Sequence, residues 1–172
     1  MKKITNNLVI ISNVVLSILF IIPAFKLNLF DENYSTLSLT TRGYLFNLVL
    51  GILIGILLGY ETYYISSKKN SLIIFMSLLI GTIIPHHVPY NFQGNLHLIF
   101  AYIGFFGLVT ISFFNCKLSK VRNMYLILLS VAILIYLRCG MVNTLSEVIV
   151  MISTLFVNMY NYFRTNKWKQ RI

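Results

Sequence analysis

The sequence predicts an all-α integral membrane protein, a bundle of six transmembrane helices with both termini in the cytoplasm. Hydrophobic residues make up 58% of the 172 residues and charged residues only 10%, with a mean hydropathy of +0.80. A soluble domain of this length could not bury so much apolar surface. The apolar residues also form runs long enough to cross a bilayer, and strand-like alternation is absent. Helices are therefore the expected way to satisfy the backbone in lipid.

Six apolar segments qualify as spanning helices, which need about 20 residues, although some reach that length only with their flanks and the fifth is the shortest. They cover residues 8–25, 44–65, 71–89, 96–115, 124–137 and 144–163. The connections after the first loop are short, which favours antiparallel neighbours. We expect one transmembrane domain over 1–172, with residues 164–172 as a basic cytoplasmic tail that anchors on anionic lipid.

The positive charges predict the orientation. The chain carries 14 Lys and Arg against 4 acidic residues, a net charge of +10. With the N-terminus inside, 11 cations lie on the cytoplasmic side, and only Lys26, Arg42 and Arg138 lie on the other. The positive-inside rule then places both termini in the cytoplasm of a multi-pass cell-membrane protein. Because the cations fall between apolar segments, we expect membrane lipids as partners and no nucleic acid.

The second segment carries a stripe of small residues. Gly51, Gly55 and Gly59 recur every four residues, and Asn47 extends the same face. In lipid such a stripe lets another backbone approach closely. It predicts a helix inside the bundle, or a seam with a second copy or another membrane protein.

The fourth segment shows a similar face. Ala101 and Gly104 follow His97 at steps of four and three residues. The 3.6-residue period places them together, so His97 should point toward another helix and away from lipid.

All three histidines are predicted at the outer layer of the membrane. His86 and His87 lie between Pro85 and Pro89, where the third helix is breaking, and His97 opens the next one. Histidines at one depth could hydrogen-bond a lipid headgroup, bind a metal, or move a proton. Adjacent histidines diverge on a helix, however, and zinc needs more ligands. We therefore predict no metal and no cofactor here, and keep a plain interfacial role as an alternative.

The last segment carries a polar stripe that should face the interior of the bundle or a wet cavity. Its members, at steps of four, seven, four and three residues, are Asn143, Glu147, Thr154, Asn158 and Asn161. Two plainer explanations exist for Glu147. Thr144-x-x-Glu147 fits a capping box, and Arg138 could pair with Glu147 across the turn. Glu147, Asn158 and Arg138 remain candidate ligand-binding residues.

Glu61 is the remaining acid at membrane depth. It lies among tyrosines in YETYY near the cytoplasmic end of the second segment. Such a residue either reaches the headgroups, where Lys68 could pair with it, or couples the protein to a proton or ion.

Part of the chain resembles a known family. Phe46-Asn47 before a glycine-rich helix, Gly81-x-x-x-Pro85, and Leu96-His97 before Ala101 resemble the uncharacterised bacterial six-helix proteins grouped as DUF998, with relatives of the Frag1/DRAM type. These motifs cover about the middle third of the chain. The resemblance implies a six-helix membrane fold and no established reaction.

Taken together, these residues predict a membrane protein, more readily non-enzymatic than enzymatic, with an outer-leaflet polar pocket for a lipid headgroup or small amphiphile. One alternative is a small transporter or ion-coupled carrier that uses Glu61. A second is a metal-dependent lipid-modifying enzyme, and a third is an accessory or immunity subunit. The sequence presents no catalytic motif, such as a phosphate loop or a nucleophile elbow.

Overall fold

The computed structural model describes residues 2–25, 27–32, 41–84, 92–140 and 142–168, with side chains from residue 5 to residue 165. The chain forms six helices over these residues. They are α1 Lys2–Ala24, α2 Thr41–Ile65, α3 Lys68–Ile83, α4 Phe92–Asn115, α5 Ser119–Cys139 and α6 Thr144–Trp168. The all-α, six-helix part of the prediction is confirmed.

The helices run alternately up and down. We call the end that holds the start of α1 and the end of α6 the termini end, and the opposite end the loop end. At the loop end, the segment after α1 lies against the start of α6, where the Thr144 amide donates to the Glu32 carbonyl at 2.6 Å. The Leu145 amide likewise donates to the Leu29 carbonyl at 3.1 Å. The first connection is therefore fastened to the beginning of the last helix.

Helix α6 lies at the centre of the bundle. It packs against α1, α2, α4 and α5, whereas α3 packs between α2 and α4, and α5 packs mainly on α6. Four members of the polar stripe predicted on this helix, Asn143, Thr154, Asn158 and Asn161, are at most 1% exposed, whereas Glu147 is half-buried. A polar helix can occupy this place because its neighbours cover its polar side chains.

The outer surface is apolar while the interior holds polar side chains. Leu8, Ile56 and Leu134 are more than half exposed, whereas Glu61, Ser112 and Asn158 are fully buried. Water would favour the reverse arrangement, so lipid is the solvent that fits this surface. Within the described residues, four helices are long and apolar enough to cross a membrane: Thr5–Ala24, Thr41–Ile65, Phe92–Asn115 and Ser119–Cys139. The protein is thus a multi-pass membrane protein by the composition of its helices.

Several helix ends differ from the apolar runs. Helix α3 begins at Lys68, where the Ser67 hydroxyl accepts from the Asn70 amide at 3.2 Å, and it ends at Ile83 instead of Pro89. The next residue, Ile84, is extended because Pro85 follows it and a proline disfavours helical geometry in the residue before it.

Helix α5 is longer than predicted at both ends and stops at Gly140, whose φ of 72° is left-handed and suits a residue without a side chain. Helix α6 continues to Trp168, so the first residues of the predicted tail are helical.

The capping box at the start of α6 lies one residue earlier than predicted. The Asn143 side-chain oxygen accepts from the Ser146 amide at 3.0 Å, and the Ser146 hydroxyl accepts from the Asn143 amide at 3.3 Å. Thr144 is already the first helical residue, so its hydroxyl donates to the Glu32 carbonyl at 2.8 Å instead. The reciprocal pair that the structure shows is Asn143 with Ser146, in place of the hydroxyl cap expected from Thr144.

The glycine stripe of α2 lies against α3 of the same chain. A Cβ built on Gly55 or Gly59 would face Phe75, and one on Gly51 would collide with Thr82. Gly104 is close to the Leu78 backbone nitrogen, at 3.2 Å from a built Cβ, while Asn47 and Ala101 are half-buried. The stripe therefore packs inside the bundle of this chain, which is one of the two arrangements expected, and the seam with a partner stays a prediction.

Candidate functional site: a buried polar layer around Glu61

Glu61 is the fully buried acid of the described bundle. Its side chain is 0% exposed and lies one turn before the end of α2. The Asn13 amide of α1 donates to Glu61 Oε1 at 2.6 Å and also to the Val9 carbonyl at 2.9 Å. Within the described part of the chain, Glu61 Oε2 has no hydrogen-bond partner and no cation pairs with the carboxyl group.

Four more polar side chains are buried at the same depth. On α4 and α6, the Ser112 hydroxyl donates to the Asn158 side-chain oxygen at 2.6 Å, and the Asn161 amide donates to the Ser112 carbonyl at 2.9 Å. Thr62, next to Glu61, is 0% exposed. We call the set consisting of Asn13, Glu61, Thr62, Ser112, Asn158 and Asn161 the polar layer.

Two hydrophobic clusters enclose the polar layer, and three helices pass from one cluster to the other across it. The central cluster includes Leu16, Leu58 and Leu155, and the terminal cluster, at the termini end, includes Val9, Ile65 and Tyr162. On α1, α2 and α6 the polar residues lie between those two sets of apolar residues in the sequence. A common depth for Asn13, Glu61 and Asn158 follows from this shared register.

The polar layer is incompletely satisfied. Five of its buried atoms have no hydrogen-bond partner among the described residues: Asn13 Oδ1, Glu61 Oε2, Thr62 Oγ1, Asn158 Nδ2 and Asn161 Oδ1. Each unmade hydrogen bond of a buried polar group costs about 1–3 kcal/mol. Groups this costly are retained where a ligand, a water or a proton completes them, and ionisable residues at membrane depth mark ion and substrate pathways.

Three tyrosines pack together in the terminal cluster, next to the polar layer. The rings of Tyr60, Tyr64 and Tyr162 have centroids 5.0–5.8 Å apart and pack in the terminal cluster. These side chains come from α2 and α6, the two helices that also supply Glu61 and Asn158. Of these, Tyr64 and Tyr162 follow Glu61 and Asn158 toward the termini end, whereas Tyr60 precedes Glu61.

His97, one of the candidates predicted at the outer layer, lies at the loop end. His97 Nδ1 lies 2.8 Å from the Ile84 carbonyl, which joins the start of α4 to the end of α3. The Tyr44 hydroxyl donates to the neighbouring Ile83 carbonyl at 2.9 Å. His86 and His87 lie outside the described residues.

The residues of the predicted ligand set divide between the two ends of the bundle. Glu147 is in the first turn of α6 at the loop end, and Arg138 is exposed in the last turn of α5. Asn158 lies 14 residues beyond Thr144, about 21 Å along the helix axis. The structure therefore brings Asn158 to Ser112 near the termini end and separates it from Glu147.

The described part of the chain forms no second centre of metal-binding side chains. In the described ranges, no three His, Cys, Asp or Glu side chains group closely enough to hold a metal ion. A groove of about 390 Å³ lies between α5 and α6, lined by apolar side chains such as Leu128, Ile152 and Phe156. It lies open on the side of the bundle and contains no acid or histidine.

Sequence reasoning missed Asn13, Thr62 and Ser112. Each is a polar residue inside a long apolar run, and such a residue is expected to face the bundle interior. Asn13 carried the clearest signal, because it is an amide in the middle of the first span. Asn158 and Asn161 were found by their helical spacing, and Glu61 by its rarity.

Comparisons with known proteins match nothing: no family model, no curated protein and no solved structure is similar to this chain. The resemblance to the DUF998-type proteins therefore receives no support. What the chain itself provides is a six-helix, multi-pass membrane bundle with a polar layer buried inside it.

Proposed function

We propose that this protein is a small ion-coupled carrier, in which Glu61 binds a proton or a small cation inside the membrane. The observation that supports this most strongly is the completely buried carboxyl group, which receives one hydrogen bond and leaves its second oxygen unoccupied. A buried charge without a partner costs several kcal/mol. The group is neutral when it holds a proton, and the site is neutral when a monovalent cation accompanies the carboxylate.

The central position of α6 makes this helix the moving part of the proposed carrier. This helix contributes Asn158 and Asn161 to the polar layer, and it contacts α1, α2, α4 and α5. A shift of α6 against α1 and α2 changes the surroundings of Glu61 directly. Alternating exposure of one site is the requirement that a carrier must meet.

Charge supports an orientation with both termini in the cytoplasm. Lys68, Lys69, Lys117 and Lys120 are exposed at the termini end, where anionic lipid headgroups of the cytoplasmic leaflet attract cations. Glu61 then lies nearer the cytoplasmic face, behind the tyrosines of the terminal cluster. In this orientation its ion exchanges with the cytoplasm when these rings separate.

The outer-leaflet pocket for a lipid headgroup remains a separate prediction. His97 is bonded to the α3 end, and the two histidines that would complete the pocket lie outside the described residues. The enzyme and accessory-subunit alternatives likewise have no particular contact in their favour.

Flux in reconstituted vesicles tests the carrier. Purified protein in liposomes carrying an internal pH dye is given an imposed proton, sodium or potassium gradient. We expect gradient-dependent proton or cation movement with the native chain and with Glu32→Gln, a control on a carboxyl group of the loop. Glu61→Gln should reduce the movement at least tenfold. Equal flux in Glu61→Gln, or no flux with any imposed gradient, would exclude the proposal.

A further inference from the structure

The unsatisfied atoms of the polar layer are mostly oxygens. Glu61 Oε2, Asn13 Oδ1, Asn161 Oδ1 and Thr62 Oγ1 have no partner in the described chain, and Asn158 Nδ2 is the one nitrogen among these five buried atoms. The side chains that carry them are between 0% and 4% exposed. A carboxylate, two amide carbonyls and a hydroxyl are the donor types that hard cations prefer.

A proton alone does not complete this set. On Glu61 Oε2 it supplies one donor and so satisfies one acceptor, which leaves other oxygens of the layer without a partner. A cation is coordinated by several oxygens at once. The hydrogen bond from Asn13 to Glu61 holds two of these groups side by side, because the Asn13 amide that donates to Oε1 also carries Oδ1.

The charge of the layer selects the valence of the ion. Glu61 is the acid in the polar layer, and the ionisable side chains of the adjoining terminal cluster are Tyr60, Tyr64 and Tyr162. The nearest described cation on α6 is Arg164, whose guanidinium lies 3.4 Å from the Tyr160 hydroxyl. One carboxylate neutralises one monovalent cation, whereas a divalent ion would leave an uncompensated positive charge in the interior.

We infer that the polar layer is a binding site for a dehydrated alkali-metal cation, coordinated by Glu61, Asn13, Thr62 and Asn161. This inference rests on the proposed function and names the ion that the carrier couples to. Sodium is the first ion to test, because it is the smaller of the two abundant alkali cations and is coordinated by fewer oxygen ligands.

Thermal unfolding of the purified, detergent-solubilised protein measures the binding. The protein is exchanged into choline chloride, and NaCl or KCl then replaces choline at constant ionic strength. A ligand that binds only the folded chain should raise the unfolding midpoint by about 5 to 10 °C at one hundred times its dissociation constant. The rise should saturate with sodium concentration.

Thr62→Val is the decisive variant. The Thr62 hydroxyl has no hydrogen bond to lose in the described chain, and valine keeps the branched shape, so the fold should be preserved while one cation ligand is removed. In Thr62→Val we expect the sodium concentration that gives half of the shift to rise about tenfold. This concentration should keep its native value in Thr62→Ser and in Thr110→Val, a control on the exposed side of α4. Glu61→Gln should abolish the shift.

The outcomes separate the two proposals. A saturable sodium shift that Thr62→Val weakens and Glu61→Gln removes supports the cation site. No shift beyond that of choline, a shift unchanged in both variants, or a larger shift with Mg²⁺ overturns it. If the cation shift is absent while proton flux still depends on Glu61, the carrier proposal stands and the layer binds only protons and water. If both fail, the carrier proposal falls as well.

Discussion

Replacing Asn13 by leucine is expected to destabilise the bundle more than replacing Glu61 by methionine, although the two residues share one hydrogen bond. The Asn13 amide has two acceptors, the Val9 carbonyl and Glu61 Oε1, so it keeps a partner when Glu61 is removed. Glu61 has Asn13 alone, and its Oε2 is already without a partner in the described chain. Asn13→Leu therefore leaves a whole carboxyl group unsatisfied.

The magnitudes follow from that asymmetry. Leaving a buried acceptor without a partner costs about 1–3 kcal/mol, and more if the group is charged. Losing one hydrogen bond between membrane helices costs about 0.6 kcal/mol on average and at most about 1.7 kcal/mol. We expect the loss of unfolding free energy to lie in the upper part of the first range for Asn13→Leu and within the second range for Glu61→Met. The double variant should be more stable than Asn13→Leu, because the unsatisfied carboxyl group is gone.

Denaturation by SDS in mixed micelles measures these free energies of unfolding. Asn7→Leu, on the exposed side of the same helix, is the matched control and should cost no more than about 0.5 kcal/mol. Equal costs for the two single variants, with simple addition in the double variant, would refute the account of Glu61 as a buried group with one partner.

Three further outcomes follow from the packing. Gly81→Ala should cost about 1–3 kcal/mol of unfolding free energy through overpacking, because its Cβ would lie 3.1 Å from the α4 backbone; a gain of up to about 1 kcal/mol in helix propensity reduces this cost. Gly107→Ala is the control in the same denaturation assay. Its Cβ would lie 3.7 Å from the nearest atom, so this variant should be neutral or stabilising. Ser112→Ala should cost about 1 kcal/mol more than Ser153→Ala, because the first hydroxyl bonds another helix at 2.6 Å and the second only its own helix; equal costs would count against the polar layer. Burial raises the pKa of the Cys116 thiol, which is 0% exposed, so less thiolate is present at neutral pH. Maleimide should therefore modify Cys116 at least tenfold more slowly than Cys139, the cysteine that ends α5, as measured by mass spectrometry of the peptides. Equal rates would contradict the burial of Cys116.

Much of the bundle follows from residue-level physics. Long apolar runs interrupted by polar turns predicted six helices, and the steps of four and three residues predicted that Asn158 and Asn161 face the interior, where they are buried. Local chemistry shifted the ends: Pro85 forces Ile84 out of the helix, and Gly140 stops α5. Both signals were present in the sequence, but hydropathy outweighed them in setting the boundaries.

The arrangement of helices could not be predicted in the same way. The polar stripe of α6 predicted that one face of this helix is turned to the interior, but it did not indicate which helices cover that face. The partnership of Asn13 with Glu61 spans 48 residues and depends on the register of α1 against α2. A single sequence carries no measure of that register. For the same reason, the glycine stripe predicted close packing without indicating that α3 of the same chain fills it.

The most direct test of the account is the charge displacement recorded from protein-containing membranes adsorbed on an electrode after a rapid jump in proton or sodium concentration. An ion that enters a site inside the membrane moves charge through a low-dielectric region and produces a transient current, even before transport is complete. We expect this current with the native chain and with Glu32→Gln, and its loss with Glu61→Gln. A current of native size in Glu61→Gln would contradict the claim that the buried carboxyl group of α2 receives the ion.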